Sequence, residues 1–126
     1  MTEILASAAI ISVLMSGALQ PMYEDTSPEP IVLEMEATAY CTGSITASGK
    51  TVREGYCSMA RQYMGMTAVI YDAETMEYIG TYEIEDTGGD SRIKQGKVVD
   101  IYNPSYDWCI DFGRKKVKAY IYEADG

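Results

Sequence analysis

Histidine is absent from the chain. That removes Ser-His-Asp and Cys-His activation of a nucleophile, the HExxH metalloproteases and most catalytic zinc sites. Acid–base chemistry therefore falls to carboxylates, with Lys, Tyr and Cys as weaker alternatives. Basic residues are also scarce: 10 Lys and Arg stand against 19 Asp and Glu, a formal net charge of −9. Such a surface repels a phosphate backbone instead of recruiting it through counterion release, so no nucleic acid partner is expected. Cysteine is limited to Cys41, Cys57 and Cys109, an odd number that leaves one thiol over in any bridged arrangement. Cys41 and Cys57 bracket a loop of about fifteen residues, for which a disulfide would contribute roughly 3 kcal/mol. Three buried small apolar side chains are the competing reading. Paired metal-ligand spacing is missing, so a three-cysteine metal site is not expected.

What is present is enough for one folded unit. A chain of 126 residues is one domain's worth, and 47% hydrophobic against 23% charged residues is an ordinary globular balance. No residue between Ile4 and Leu19 is charged, and the stretch ILASAAIISVLMSGAL is apolar almost throughout. Ser16-Gly17-Ala18 gives the small residues a signal peptidase requires, and Pro21 with the polar run Glu24–Pro30 follows. Residues 1–22 thus read as a signal peptide or a membrane anchor, residues 23–30 as a linker, and residues 31–126 as an exported domain. Glu3 stands where a secretory signal normally carries Lys or Arg, which keeps the anchor reading open beside cleavage.

Beyond the linker, short runs rich in Val, Ile, Thr and Tyr alternate with glycine-containing turns. Ile31–Tyr40, Thr67–Tyr71, Tyr78–Asp86, Lys97–Tyr102 and Lys116–Tyr122 read as strands, in a total of five or six. Asn103 as N-cap, Pro104 at the first helical position and Gly113 beyond the end frame one short helix with Trp108, Cys109 and Phe112 on its core side. So few strands cannot build a sandwich with two covered faces. The expected architecture is a mostly β, small closed barrel with one helical insert.

Two segments carry the chemistry. Gly43–Thr51 imitates a phosphate-binding loop, but five residues separate Gly43 from Gly49 where that loop needs four, and no long helix opens after Thr51. A hydroxyl-rich turn remains, in which Thr46 and Ser48 are candidates to hydrogen-bond a sugar or a neighbouring carboxylate. In Tyr78–Asp86, period-two alternation puts Tyr78, Gly80, Tyr82, Ile84 and Asp86 on one face, and Thr87-Gly88-Gly89 follows as a turn with little bulk against a ligand. Val98-Val99-Asp100-Ile101-Tyr102 then sets one aspartate in an otherwise apolar strand, where burial without a partner is costly. Arg92, Arg114 or a backbone N–H could satisfy it as a purely structural carboxylate. Alternatively Asp86 and Asp100 converge in a half-buried groove, where desolvation and mutual repulsion raise one pKa and produce a general acid.

Several ordered segments resemble the bacterial "3D" (three-aspartate) domain: Ala37-Thr38-Ala39-Tyr40, Thr46-Ala47-Ser48-Gly49, Asp86-Thr87-Gly88-Gly89, Ile93-Lys94, Val99-Asp100-Ile101-Tyr102 and Phe112–Val117. That family is similar to the C-terminal part of membrane-bound lytic transglycosylase A. The resemblance implies a six-stranded double-psi β-barrel that cuts peptidoglycan glycan strands at the β-1,4 bond between N-acetylmuramic acid and N-acetylglucosamine. By position, Asp100 corresponds to the catalytic acid/base and Asp86 to its supporting carboxylate, with Tyr40, Thr46, Ser48, Thr87, Gly88 and Gly89 toward the substrate. A monomeric, exported cell-wall protein without cofactor is implied. The alternative is a non-catalytic glycan-binding or structural barrel. One departure stands out: the family's first aspartate falls in the region Gly55–Ala60, which here has none, while Asp90-Ser91-Arg92 is inserted after the glycine turn.

Overall fold

The computed structural model describes residues 29–88 and 90–124. The leader or anchor read at residues 1–22, most of the 23–30 linker, and Gly89 lie outside the described residues. No described helix is long and apolar enough to cross a membrane.

The strands are β1 (Ile31–Tyr40), β2 (Tyr56–Ser58), β3 (Thr67–Asp72), β4 (Tyr78–Asp86), β5 (Val98–Tyr102) and β6 (Lys115–Tyr122). Among the described residues two α-helices are inserted, α1 (Ser91–Lys94) and α2 (Tyr106–Phe112), and a single 3-10 turn spans Arg61–Tyr63. The strands close into a barrel in the order β1-β5-β2-β4-β3-β6, with β6 returning to β1. The pairs β1/β5 and β2/β4 are parallel and the remaining four antiparallel. The mostly β closed barrel expected from the sequence is therefore present.

A six-stranded barrel has a narrow interior, and the inward positions, Met35 of β1 excepted, are correspondingly small or β-branched. Ala37, Cys57, Ala68, Ile70, Ile84, Val99, Ile101, Val117, Ala119 and Ile121 fill it. Gly80, opposite Ile70 in the register, is a glycine for a steric reason. A Cβ there would stand 2.6 Å from Cζ of Tyr82, whose ring lies over the glycine and takes up the space.

Helix α2 starts later than its sequence suggests. Asn103 is not the cap: its Oδ1 accepts from the Ser105 N–H at 2.8 Å, and Ser105, with extended backbone, accepts from the Trp108 N–H at 3.1 Å. Pro104 thus precedes the cap, as expected where proline favours extended backbone before it and Ser105 is the first hydroxyl three residues ahead of a free N–H. Gly113 closes the helix at φ 63°, a backbone region that glycine enters without strain. Phe112 is buried with Trp108 stacked on it at 5.1 Å, while Cys109 is only half-buried.

Candidate functional site

Period-two alternation along β4 breaks at Glu85. Cys57 opposes Ile84 and Ser58 opposes Asp86, so Glu85 is an extra residue, a β-bulge. Cys57 and Ile84 point into the core. Ser58, and with it Asp86, therefore turn to the outer face, and Asp86 does not share the face of Ile84 as simple alternation implies. Asp100 stands between the fully buried Val99 and Ile101, so it too faces outward.

Register then assembles a row across four adjacent strands. Thr38 opposes Asp100, Asp100 opposes Ser58, and Ser58 opposes Asp86. The Thr38 hydroxyl donates to Asp100 Oδ1 at 2.8 Å. Tyr40, one step further along β1 on the same face, brings its hydroxyl to 3.3 Å from Ser58 Oγ and packs edge-on against Tyr102 at 5.3 Å. Gly88 curls over the row at φ 59°. A Cβ there would meet the tip of Ile93 of α1 at 2.9 Å and Ser58 at 3.7 Å, and the positive φ favours glycine, so the turn lies close over the row.

The arginines that could have made Asp100 a structural carboxylate are engaged elsewhere. Arg92 pairs with Asp90 at 3.1 Å and Arg114 with Glu36 at 2.7 Å. Asp90 is also the cap of α1, accepting from the Arg92 N–H at 2.7 Å, which assigns the inserted carboxylate a structural task. Among the described residues no Lys or Arg forms an ion pair with Asp100. Burial raises the Asp100 pKa above its ordinary 3.8, the Thr38 hydrogen bond opposes this, and the nearby charge of Asp90 adds to it. The expected repulsion from Asp86 is not among the causes. Asp86 lies two strand spacings away, roughly 10 Å at the backbone. Burial likewise pushes the Tyr40 phenol up to about 12, against its Ser58 hydrogen bond and helped by the charges of Asp86 and Asp100. Tyr40 therefore stays protonated and serves as a hydroxyl, not a base.

Asp86 acts as a brace. Its Oδ1 accepts from the Ala47 N–H at 3.1 Å and from its own neighbour Thr87 at 2.9 Å, tying two loops to the end of β4. The turn that imitates a phosphate loop docks there too, with the Ser48 N–H donating to the Glu85 carbonyl at 3.1 Å. Thr46 is buried, and its hydroxyl is shared among Ser48 Oγ at 2.8 Å, the Lys50 carbonyl at 3.1 Å and the Lys50 N–H at 3.2 Å. Thr46 thus builds the turn, while Ser48 is exposed at its tip. Thr87 is half-buried and lines a cavity of about 380 Å³ with Arg61, Gln62 and Lys94.

Cys57 projects into the barrel and all three thiols are free, so the Cys41–Cys57 bridge weighed from spacing is not formed. Burial drives the Cys57 thiol upward and makes it inert.

Sequence inspection gave no sign of Glu85 as a buried group, yet only 6% of it is exposed and Lys50 pairs with it at 3.0 Å. Burial would raise the Glu85 pKa, but hydrogen bonds from Lys50 and Ser48 outweigh it and hold the carboxyl below its usual 4.5. Its contribution to stability is present above that value and lost as pH falls through the lowered one. Lys50→Ala removes the charged partner and leaves the Ser48 hydroxyl to oppose the burial. The variant is expected to melt below the wild type at pH 7, with the gap closing as the pH falls below about 4.5. Thermal melts across pH 3–7 check this.

Neither the family models nor the curated proteins compared with this chain give a match.

Proposed function

We propose that this chain is a three-aspartate-type barrel of double-psi topology that cleaves peptidoglycan glycan strands as a lytic transglycosylase, exported or membrane-anchored through residues 1–22 and acting as a monomer. The observation that carries the reading is Asp100: a half-buried carboxyl in an apolar strand, raised in pKa and held by a threonine hydroxyl instead of an arginine. A carboxyl that keeps its proton above the ordinary range can act as a general acid. In its protonated form Asp100 gives the proton to the glycosidic oxygen as the C1–O bond breaks. As carboxylate it then removes the proton from the C6 hydroxyl of the muramoyl residue, and that oxygen closes on C1 to form the 1,6-anhydro product. One carboxylate performs both transfers, and no activated water or second nucleophile is needed.

Asp86 has a bracing role in this scheme, since both of its hydrogen-bonded partners are loop N–H groups. Tyr40 and the open backbone at Thr87-Gly88 supply contacts to the sugar, with Ser48 at the rim. The test is digestion of purified peptidoglycan by the full chain, with products read by mass spectrometry. Anhydromuramoyl ends support the reading, reducing ends indicate hydrolysis, and intact glycan with the protein retained on it supports a binding module.

Ser58 favours that second, non-catalytic reading. It lies in the middle of the row, in the region where the resembled family has its first aspartate, and is 97% removed from solvent by an exposure of only 3%. Ser58→Asp would put a like charge next to Asp100. The expected result is a further rise of the Asp100 pKa, moving the alkaline limb of the pH–rate profile upward. Carboxyl NMR titration of wild type and variant checks the shift independently of activity.

A further inference from the structure

Cys41 and Cys109 are 68 positions apart in the chain, yet one residue links their surroundings. Tyr40, immediately before Cys41, accepts the Asn103 N–H on its carbonyl at 2.9 Å. The carbonyl of the same Asn103 accepts from the Cys109 thiol at 3.4 Å. Both thiols are half-buried, unlike Cys57, which is sealed in the barrel. We propose that Cys41 and Cys109 form a redox site, closing to a disulfide that pins α2 to the end of β1 while Cys57 stays reduced.

Two further observations agree. After burial, the neighbouring Cys41 is the leading cause of the raised Cys109 pKa, so the sulfurs share one environment. Partial exposure also leaves room for an external disulfide to enter. One cysteine thiolate attacks a small-molecule disulfide RSSR, forming a mixed disulfide and expelling RS⁻. The second cysteine thiolate then attacks the protein-bound sulfur and expels the other RS⁻. The cysteine pair loses two electrons and two protons, and RSSR becomes two RSH.

Trypsin separates the three cysteines, because Lys50, Arg53, Arg61, Lys97 and Arg114 lie between or beyond them. The full chain is equilibrated with oxidised glutathione, alkylated with N-ethylmaleimide after denaturation, digested and mapped. The expected result is a cross-linked pair of peptides carrying Cys41 and Cys109, with alkylated Cys57. The melting temperature should also fall on the order of 10 °C on reduction, a difference that Cys41→Ser removes. In Cys41→Ser, Cys109 should be recovered as its glutathione adduct. Cross-links to Cys57, or full alkylation of Cys41 and Cys109 in oxidised wild type with a native melt, overturn the proposal.

Discussion

Under the proposed transglycosylase mechanism, replacing Asp100 by asparagine is expected to cut glycan scission by about 10²–10⁴-fold, the usual contribution of a positioned acid or base, while raising the melting temperature at neutral pH. Both effects come from the same burial. Folding pushes the Asp100 pKa above 3.8, so the ionised carboxyl lowers the stability of the native state once the pH exceeds the raised value. Asparagine carries no charge to desolvate, and its Oδ1 can still accept from the Thr38 hydroxyl. The stability gain should therefore shrink as the pH falls through the raised value and vanish below 3.8. Melts of both proteins between pH 3 and pH 8, run beside the peptidoglycan digestion, read the two effects separately. A variant that is both inactive and less stable at neutral pH would assign Asp100 a structural role. A stabilised variant that still binds glycan without cutting it is the expected outcome.

Ile84→Ala should produce the largest loss of stability. Ile84 is fully buried, opposes Cys57 in the register, and precedes the bulge that turns Asp86 outward. Truncating a buried isoleucine to alanine costs about 2–5 kcal/mol, through lost transfer energy and the cavity left behind. For a domain of this size that corresponds to a melting point lower by roughly 10–30 °C. A six-stranded barrel has little freedom to collapse into the void, because every strand is held on both sides. Thermal denaturation by circular dichroism checks it. Tyr78→Ala, at a position 60% exposed, is the control expected to stay close to wild type.

The strands with clear alternation were legible in the sequence: the five runs read there coincide with β1, β3, β4, β5 and β6 to within one residue at each end. Strand β2 was not, because Tyr56–Ser58 is too short to show a period and follows directly on the turn at Gly55. Helix α1 is a single turn and escaped for the same reason. Asp100 could be singled out because one charge in an apolar run is visible without any knowledge of pairing. The side of the sheet that Asp86 occupies could not, since a bulge belongs to the match between two strands and leaves no mark in either one alone. Glu85 was equally hidden. Its partner Lys50 comes from a turn 35 residues earlier whose docking depends on the finished barrel.

The strand order also dictates when this protein can acquire its shape. Strand β1 finds its neighbours in β5 and β6, and the Thr38–Asp100 and Glu36–Arg114 contacts span 62 and 78 residues. A ribosome must release nearly the entire domain before its first strand has anything to pair with, and such distant pairings make folding slow. Strand β1 therefore stays unpaired until β5 has been made, while the neighbouring strands β3 and β4 can already close as a local hairpin.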